Sequence, residues 1–480
     1  MHVISLRTGF HALLVVLFSV SVSSAQSFQQ NTYHSPNRPA DLFVADLNHD
    51  GKPDIVTTQF TSNMITVFLN HGDGTFTDGG SASYVVGGSA PQRVLIADFN
   101  HDGNPDIVAG TCNPSGGPSS VSILFGNGDG TFRNHIDYTI PGCITGLGTI
   151  RVARDTSPSL IVASELPQIN ILRNDGTGTF HLRTISTTSN MTGVSAADYN
   201  HDGIADIAAI EVANPNKLVI LYGNAGGGFG TPQVIASASS IVGYFAANTV
   251  DFTGDGIGDL LVPWDSSGPV RAGVTAFANN GFGKFTSTTL NVASGYFLPG
   301  FRAAEGDFTR GGFHGLILPL TGTGTQVPDA VAYFPARGRG VWSSPIYFPM
   351  GANSSPHSAS VADFNGDGLL DFAVVTEADD TLHIFSNNSC PLPPKAGIAL
   401  CSPAAGSNVG SPVRISATAN GLTRPITAMK AYIDGKQVAS SGNNMLNSSA
   451  PEAAGRHKLT VNAWDSSGKL YQFIETFTVH

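Results

Sequence analysis

Asp46-Leu47-Asn48-His49-Asp50-Gly51-Lys52-Pro53-Asp54 recurs along the chain with its acidic positions intact. It returns as Asp98-Phe-Asn100-His-Asp102-Gly-Asn104-Pro-Asp106 and as Asp198-Tyr-Asn200-His-Asp202-Gly-Ile204-Ala-Asp206. Two more copies are Asp251-Phe-Thr253-Gly-Asp255-Gly-Ile257-Gly-Asp259 and Asp363-Phe-Asn365-Gly-Asp367-Gly-Leu369-Leu-Asp371. Two worn copies fill the gaps. One lies within 150–164, where Asp155 has no following Asp; the other spans 305–318, where Asp307 is kept and Gly311 and Gly315 replace the later acids.

Each copy is preceded by a short apolar run and followed by another, such as Ile55-Val56, and a third run comes next, as at 65–69, 121–125 and 218–222. A Gly-rich turn then ends in an aromatic residue: Phe76, Phe132, Phe180, Phe229, Phe285 and Trp342. A polar strand closes the unit. Four short strands in a period of about 53 residues, separated by turns, are the pattern of a propeller blade. Counting the worn copies, the expectation is an all-β, seven-bladed β-propeller over 26–389. The seventh unit stops after its third strand at His383-Ile384-Phe385, while Phe28 and residues 31–35 match a missing fourth strand. Chain start and chain end are therefore expected to share one blade, which removes an exposed sheet edge.

The nonapeptide also carries chemistry. A hard cation in a tight loop needs side-chain oxygens at positions 1, 3, 5 and 9 and a carbonyl at position 7, with Gly at 6 for the turn. The candidate metal ligands are Asp46, Asn48, Asp50, Lys52 (carbonyl) and Asp54, then Asp98, Asn100, Asp102, Asn104 (carbonyl) and Asp106. The third set is Asp198, Asn200, Asp202, Ile204 (carbonyl) and Asp206, and the fourth Asp251, Thr253, Asp255, Ile257 (carbonyl) and Asp259. Asp363, Asn365, Asp367, Leu369 (carbonyl) and Asp371 complete the list. Three carboxylates in nine residues repel unless a cation sits among them. Oxygen-only donors in a flexible loop select Ca²⁺ over zinc, copper or Mg²⁺. The five loops hold 15 of the 35 acidic residues, so about five Ca²⁺ ions would nearly cancel the formal net charge of −11. His49, His101 and His201, at position 4, are expected to be solvated turn residues.

These repeats resemble the FG-GAP or VCBS repeats of integrin alpha-subunit propellers and of many secreted bacterial proteins. The resemblance covers about 27–389. It implies a calcium-binding recognition or adhesion module for a protein or glycan.

Residues 1–25 read as a signal peptide: Arg7, an apolar run over 12–22, then Ser23-Ser24-Ala25. The run is too short to span a bilayer, so secretion to the exterior or cell surface is expected, with no membrane insertion. Four cysteines suit an oxidising compartment, and proximity favours Cys112 with Cys143 and Cys390 with Cys401. Residues 390–397 are a Pro-rich linker. Alternating runs over 398–480, the Asp434-Gly435 hairpin signal and Trp464 as a core residue resemble a small bacterial Ig-like β-sandwich.

The negative charge argues against nucleic acid as a partner, and a monomer is expected. No Gly-x-Ser-x-Gly elbow or His-Glu-x-x-His occurs. Glu165, Glu211, Glu305 and Glu377 read as scattered surface carboxylates, so no catalytic residue is assigned. An extracellular polysaccharide lyase or hydrolase, and an envelope component without a ligand, are the competing readings.

Overall fold

Apolar, β-branched runs too short for helices form the strands of every unit, and all regular elements among the described residues are strands. The computed structural model describes residues 28–480 except 114, 154, 239–240, 245–246, 267–271, 299–301, 324–326, 388–392, 394, 404–405, 423 and 443. The signal-peptide region, Cys390 and half of the Pro-rich linker lie outside the described residues.

From Leu42 onward the strands pair antiparallel in chain order into successive four-stranded sheets. The first runs from Leu42–Ala45 through Asp54–Gln59 and Met64–Phe68 to Ala82–Val85. Further sheets start at Pro91–Ala97, Ile144–Ile150 and Met191–Ala197. In the next two, the opening strand is split. Ile241–Tyr244 and Asn248–Val250 both pair with Asp259–Ser266, and Tyr296–Phe297 and Ala304–Gly306 both pair with Gly315–Gly322. The partner strands are 8 residues long there, against 6 in the second strands of the earlier sheets, which gives room for two short neighbours. The last sheet of the series is built on Pro356–Ala362, Asp371–Thr376 and Thr381–Asn387.

Its fourth strand comes from the other end of the chain. Phe28–His34 pairs antiparallel with Thr381–Asn387, from Phe28 opposite Asn387 to His34 opposite Thr381. Phe28 meets Phe308, Tyr333, Phe348 and Phe372 edge-on at 5.0–6.0 Å. The expected sharing of one sheet by both ends is what the structure contains.

Second and third strands are buried along nearly their whole length, as in Asp54–Gln59 and Asp106–Thr111, because both of their faces are covered by neighbouring sheets. Fourth strands such as Phe180–Ser186 are mostly exposed and form the outer edge. Each apolar cluster is shared by consecutive sheets: Val56 and Ile65 pack with Val94 and Ile107, and Leu42 and Ile55 pack with Ala373 and Ile384. The first sheet is thereby in contact with the last.

The C-terminal domain stacks a three-stranded sheet on a five-stranded one around Val413, Ile415, Met429, Val461 and Phe477. Asp434 (φ 49°) and Gly435 (φ 85°) turn the hairpin between Ile433 and Lys436, as the Asp-Gly signal predicts. Trp464 is not a core residue. In Gly455–Asp465 the alternation sends Leu459, Val461 and Ala463 inward and leaves Trp464 half-buried, with the Lys430 ammonium 5.9 Å from its ring.

Cys112 and Cys143 form a disulfide between the second and third sheets. Cys401 is also disulfide-bonded, and its expected partner, Cys390, falls outside the described residues.

Candidate functional site

Each nonapeptide links the first two strands of its sheet, and its side chains fold back onto its own backbone. Asp46 accepts N–H bonds from Asp50 and Gly51, Asn48 accepts from Asp50, and Asp50 accepts from Lys52, at 2.9–3.1 Å. The same frame recurs with Asp198, Asn200 and Asp202. It recurs again with Asp363, Asn365 and Asp367. Asp98, Asn100 and Asp102 repeat it except that Asp98 accepts only from Gly103, and Asp251 and Asp255 repeat it with a Thr253 hydroxyl that donates to Asp251. Position 6 is Gly with φ between 79° and 86° in all five. The structure thus brings positions 1, 3 and 5 together in every intact loop.

Position 9 has a separate task. Asp54, Asp106, Asp206, Asp259 and Asp371 are fully buried. One oxygen of Asp54 accepts the Leu47 N–H at 2.9 Å and the other the Asn70 N–H at 2.8 Å. Asp106, Asp206 and Asp371 repeat the pair on Phe99 with Gly126, Tyr199 with Gly223, and Phe364 with Asn387. Asp259 does the same on Thr253 and Asn279. Each carboxylate therefore staples the loop to the end of the third strand. Burial pushes the carboxyls of Asp54, Asp106 and Asp206 up to about 6; the backbone N–H bonds oppose this, and the acids at positions 1 and 5 add to it.

Among the described residues no three Asp, Glu, His or Cys side chains converge to enclose an ion by themselves. The donors gathered in each loop are two carboxylates with an amide or hydroxyl oxygen, and this oxygen-only set suits a hard cation. A second observation fits an ion: Asp98 Oδ1 is buried and has no hydrogen-bond partner. An orphaned carboxylate oxygen is costly unless something positive meets it.

The worn loops are neutralised differently. Asp155, in the third unit, is gripped by both Nε and Nη2 of Arg173 at 2.9 Å, and Ser159 takes over the ninth-position task by accepting the Asn174 N–H. In the sixth unit Asp307 keeps the turn through the Gly311 and Gly312 N–H groups, but Gly315 leaves no staple.

Contacts between units were hidden in the sequence. Asn70 Nδ2 donates to the Phe364 carbonyl, Asn174 to Phe99, Asn279 to Tyr199 and Asn387 to Phe308, at 2.7–3.0 Å. In each case the acceptor is position 2 of the preceding unit's loop, and the first unit reaches back to the last. The turn aromatics follow the same rule: Phe76 packs on Phe364, Phe180 on Phe99, Phe285 on Tyr199 and Trp342 on Phe252.

Position 4 points the other way around the series. His49 is 3.2 Å from Asn104 of the next loop, and His101 is 2.8 Å from Ser157. These two histidines are exposed yet bridge loops, so they are more than solvated turn residues. Their backbones are left-handed (φ 58° and 59°), as are Gly254 and Gly366 at the same position. The alternation of His with Gly was the available signal.

Three of the four scattered glutamates are engaged as well. Glu211 is buried and paired with Lys217 at 3.0 Å, Glu377 meets Arg38 and His357, and Glu305 meets His314. Glu165 is exposed. The inner strands line a cavity of about 550 Å³ that touches Phe43, Leu95, Val194, Asn248, Glu305 and Ser360.

Comparison with known proteins agrees with this architecture. The family model of the FG-GAP-like repeat matches residues 46–109 and 152–209, and that of the bacterial Ig domain matches 397–461. No curated protein matches the chain. Among solved structures, one similar chain is that of the crystal structure of BBS1N in complex with ARL6DN, soaked with mercury. It is 12% identical, with 75% of this chain and 98% of that chain covered and a TM-score of 0.47. Another belongs to the Clostridium thermocellum CbhA fibronectin(III)-like modules, 21% identical over 17% of this chain and 93% of that one, with a TM-score of 0.16. The chain carries FG-GAP-like repeats in an all-β series of propeller-type sheets, followed by a bacterial Ig domain.

Proposed function

We propose that this protein is a secreted, monomeric, seven-bladed propeller that binds Ca²⁺ in its nonapeptide loops and recognises a protein or glycan without transforming it. The observation that carries the proposal is the repetition of one loop, five times over, in which the position 1 and position 5 carboxylates accept the N–H groups of positions 6 and 7 and a neutral oxygen lies at position 3. A frame conserved to that degree within one chain serves a common ligand, and its chemistry selects a hard divalent cation.

Calcium would supply charge neutralisation and rigidity there; the chain's own residues do the positioning. Asp46, Asp98, Asp198 and Asp251 would face the ion together with the third and fifth positions of their loops. The ninth-position carboxylates hold each loop against its sheet. Loops on the opposite face, such as 111–119 and 164–168, are then free to differ in length and composition, as recognition surfaces do.

The test is capture on a glycan and matrix-protein array in millimolar Ca²⁺ and in chelator, with released sugar assayed in parallel. Calcium-dependent capture without product is expected. Release of soluble fragments from a polysaccharide would overturn the reading in favour of an enzyme.

A further inference from the structure

The last intact loop differs from the other four in what meets its fifth-position carboxylate. Asp50 and Asp102 are 32% and 30% exposed, with Lys52 at 3.4 Å and the largely exposed Arg133 at 4.0 Å. Asp202 and Asp255 are exposed too. Asp367 is only 1% exposed, and Nη1 of Arg414 stands 3.1 Å from its Oδ2. Arg414 lies on Val413–Asn420, a strand of the Ig-like domain. The other oxygen of Asp367 accepts the Leu369 N–H at 2.8 Å, while Oδ2 accepts no hydrogen bond and is met by the Arg414 charge.

A second guanidinium closes on the same loop from the worn sixth unit. Arg310, at position 4 of that unit, donates to the carbonyls of Asp367 at 2.7 Å and Gly368 at 2.8 Å. Gln29 and Asn31 of the closing strand, with Ser386, Ser448 and Ser449, line a cleft of about 330 Å³ beside the Arg414 contact. The contact therefore lies where the chain start, the last sheet and the Ig-like domain meet.

A divalent ion and a guanidinium on one buried carboxylate repel each other at short range, where water screens little. An ion pair on a buried carboxylate is costly to break from one side, because the carboxylate is left without a counter-charge. We infer that the loop Asp363–Asp371 is the docking site of the Ig-like domain, occupied by Arg414 in place of an ion, and that calcium is held by the other four loops. The inference rests on the calcium reading of those four.

The experiment measures bound Ca²⁺ per chain by equilibrium dialysis of the mature protein, and its maximum dimension by small-angle scattering. Wild type should bind about four ions, and Arg414→Ala about five as the freed loop fills. Asp367→Asn should leave the count at about four, whereas Asp102→Asn, in an open loop, should lower it to about three. Arg414→Ala and Asp367→Asn should both lengthen the particle as the domain swings free. About five ions in wild type, falling to about four in Asp367→Asn, would overturn the inference and leave the calcium reading intact. No calcium on any variant would overturn the calcium reading. Docking is then decided by scattering alone: a longer Asp367→Asn particle supports it, and an unchanged one refutes it.

Discussion

Asp106 shows how one residue serves both the loop and the sheet. Its two oxygens accept the Phe99 and Gly126 N–H groups in a site without solvent. Asp106→Ala strands two buried donors, so in chelator it should cost about 3 kcal/mol, read from urea denaturation. Ser159→Ala, which strands one, should cost about 1 kcal/mol. Equal losses for Asp106→Ala and for the exposed Asp102→Ala would show that the staple is unimportant. The sequence marked position 9 as acidic but not as structural, because a ligand and a backbone acceptor are written with the same letter. Ser159 separates the two, since it keeps the bond where the acids are gone. His383 is a second buried polar residue, with its imidazole between Gln30 and Thr376. Burial drops its pKa to about 4 from 6.5. The unfolded chain then takes up the proton more readily, so the stabilisation is full above pH 6.5 and is lost as pH falls towards 4. The loss approaches about 3 kcal/mol. The buried carboxylates titrate with the opposite sign, so the measurement is the difference between wild type and His383→Gln over that range. A constant difference would refute the assignment.

At the scale of the element, the closing strand was legible because the seventh unit visibly lacks its turn aromatic and the chain start supplies one. Phe28 sits opposite Asn387 as Phe180 sits opposite Asn174 and Phe285 opposite Asn279. Phe28→Ala should cost about 3 kcal/mol, the low end for a Phe truncation, because the ring is partly exposed. A chain starting at Pro39 should lose far more, since it uncovers the edge of Thr381–Asn387 and empties the space among Phe308, Tyr333 and Phe372. If that chain melted like the mature protein, the strand would be dispensable. The split opening strands of the fifth and sixth sheets were not legible. In the fifth, no Gly or Pro separates Ile241–Tyr244 from Asn248–Val250; in the sixth, Pro299-Gly300 marks a break, but a turn signal alone does not say that both pieces pair with one longer strand. Trp464 failed for a related reason: one large aromatic outweighed the alternation around it, and alternation decided its face.

Across the whole molecule, the bonds that hold the series together run between units, from turn to preceding loop. They link residues such as Asn70 and Phe364, far apart in sequence, and no periodicity of a single unit displays them. The Arg414–Asp367 contact is hidden for the same reason, because it joins a repeat to a domain that does not share the repeat. On the proposed calcium reading, these links would make the ion a global ligand. Fixing a loop also fixes the position-2 carbonyl on which the next unit's asparagine rests. Calcium at about ten times its dissociation constant contributes about 1.4 kcal/mol per site. Four open loops acting on one cooperative unit then give a ceiling of about 6 kcal/mol. Calorimetry of the mature chain should therefore show a propeller transition that moves up by many degrees between chelator and millimolar Ca²⁺. The Ig-like domain, whose core around Val461 and Phe477 includes none of the nonapeptide loops, should melt at a temperature that calcium leaves unchanged. Asp50→Asn or Asp202→Asn should remove about a quarter of the calcium-induced shift, and the double variant about half, if the sites add. A propeller transition indifferent to calcium would refute the metal reading of the loops, and a calcium-dependent Ig-like transition would refute the assignment of the ions to the propeller.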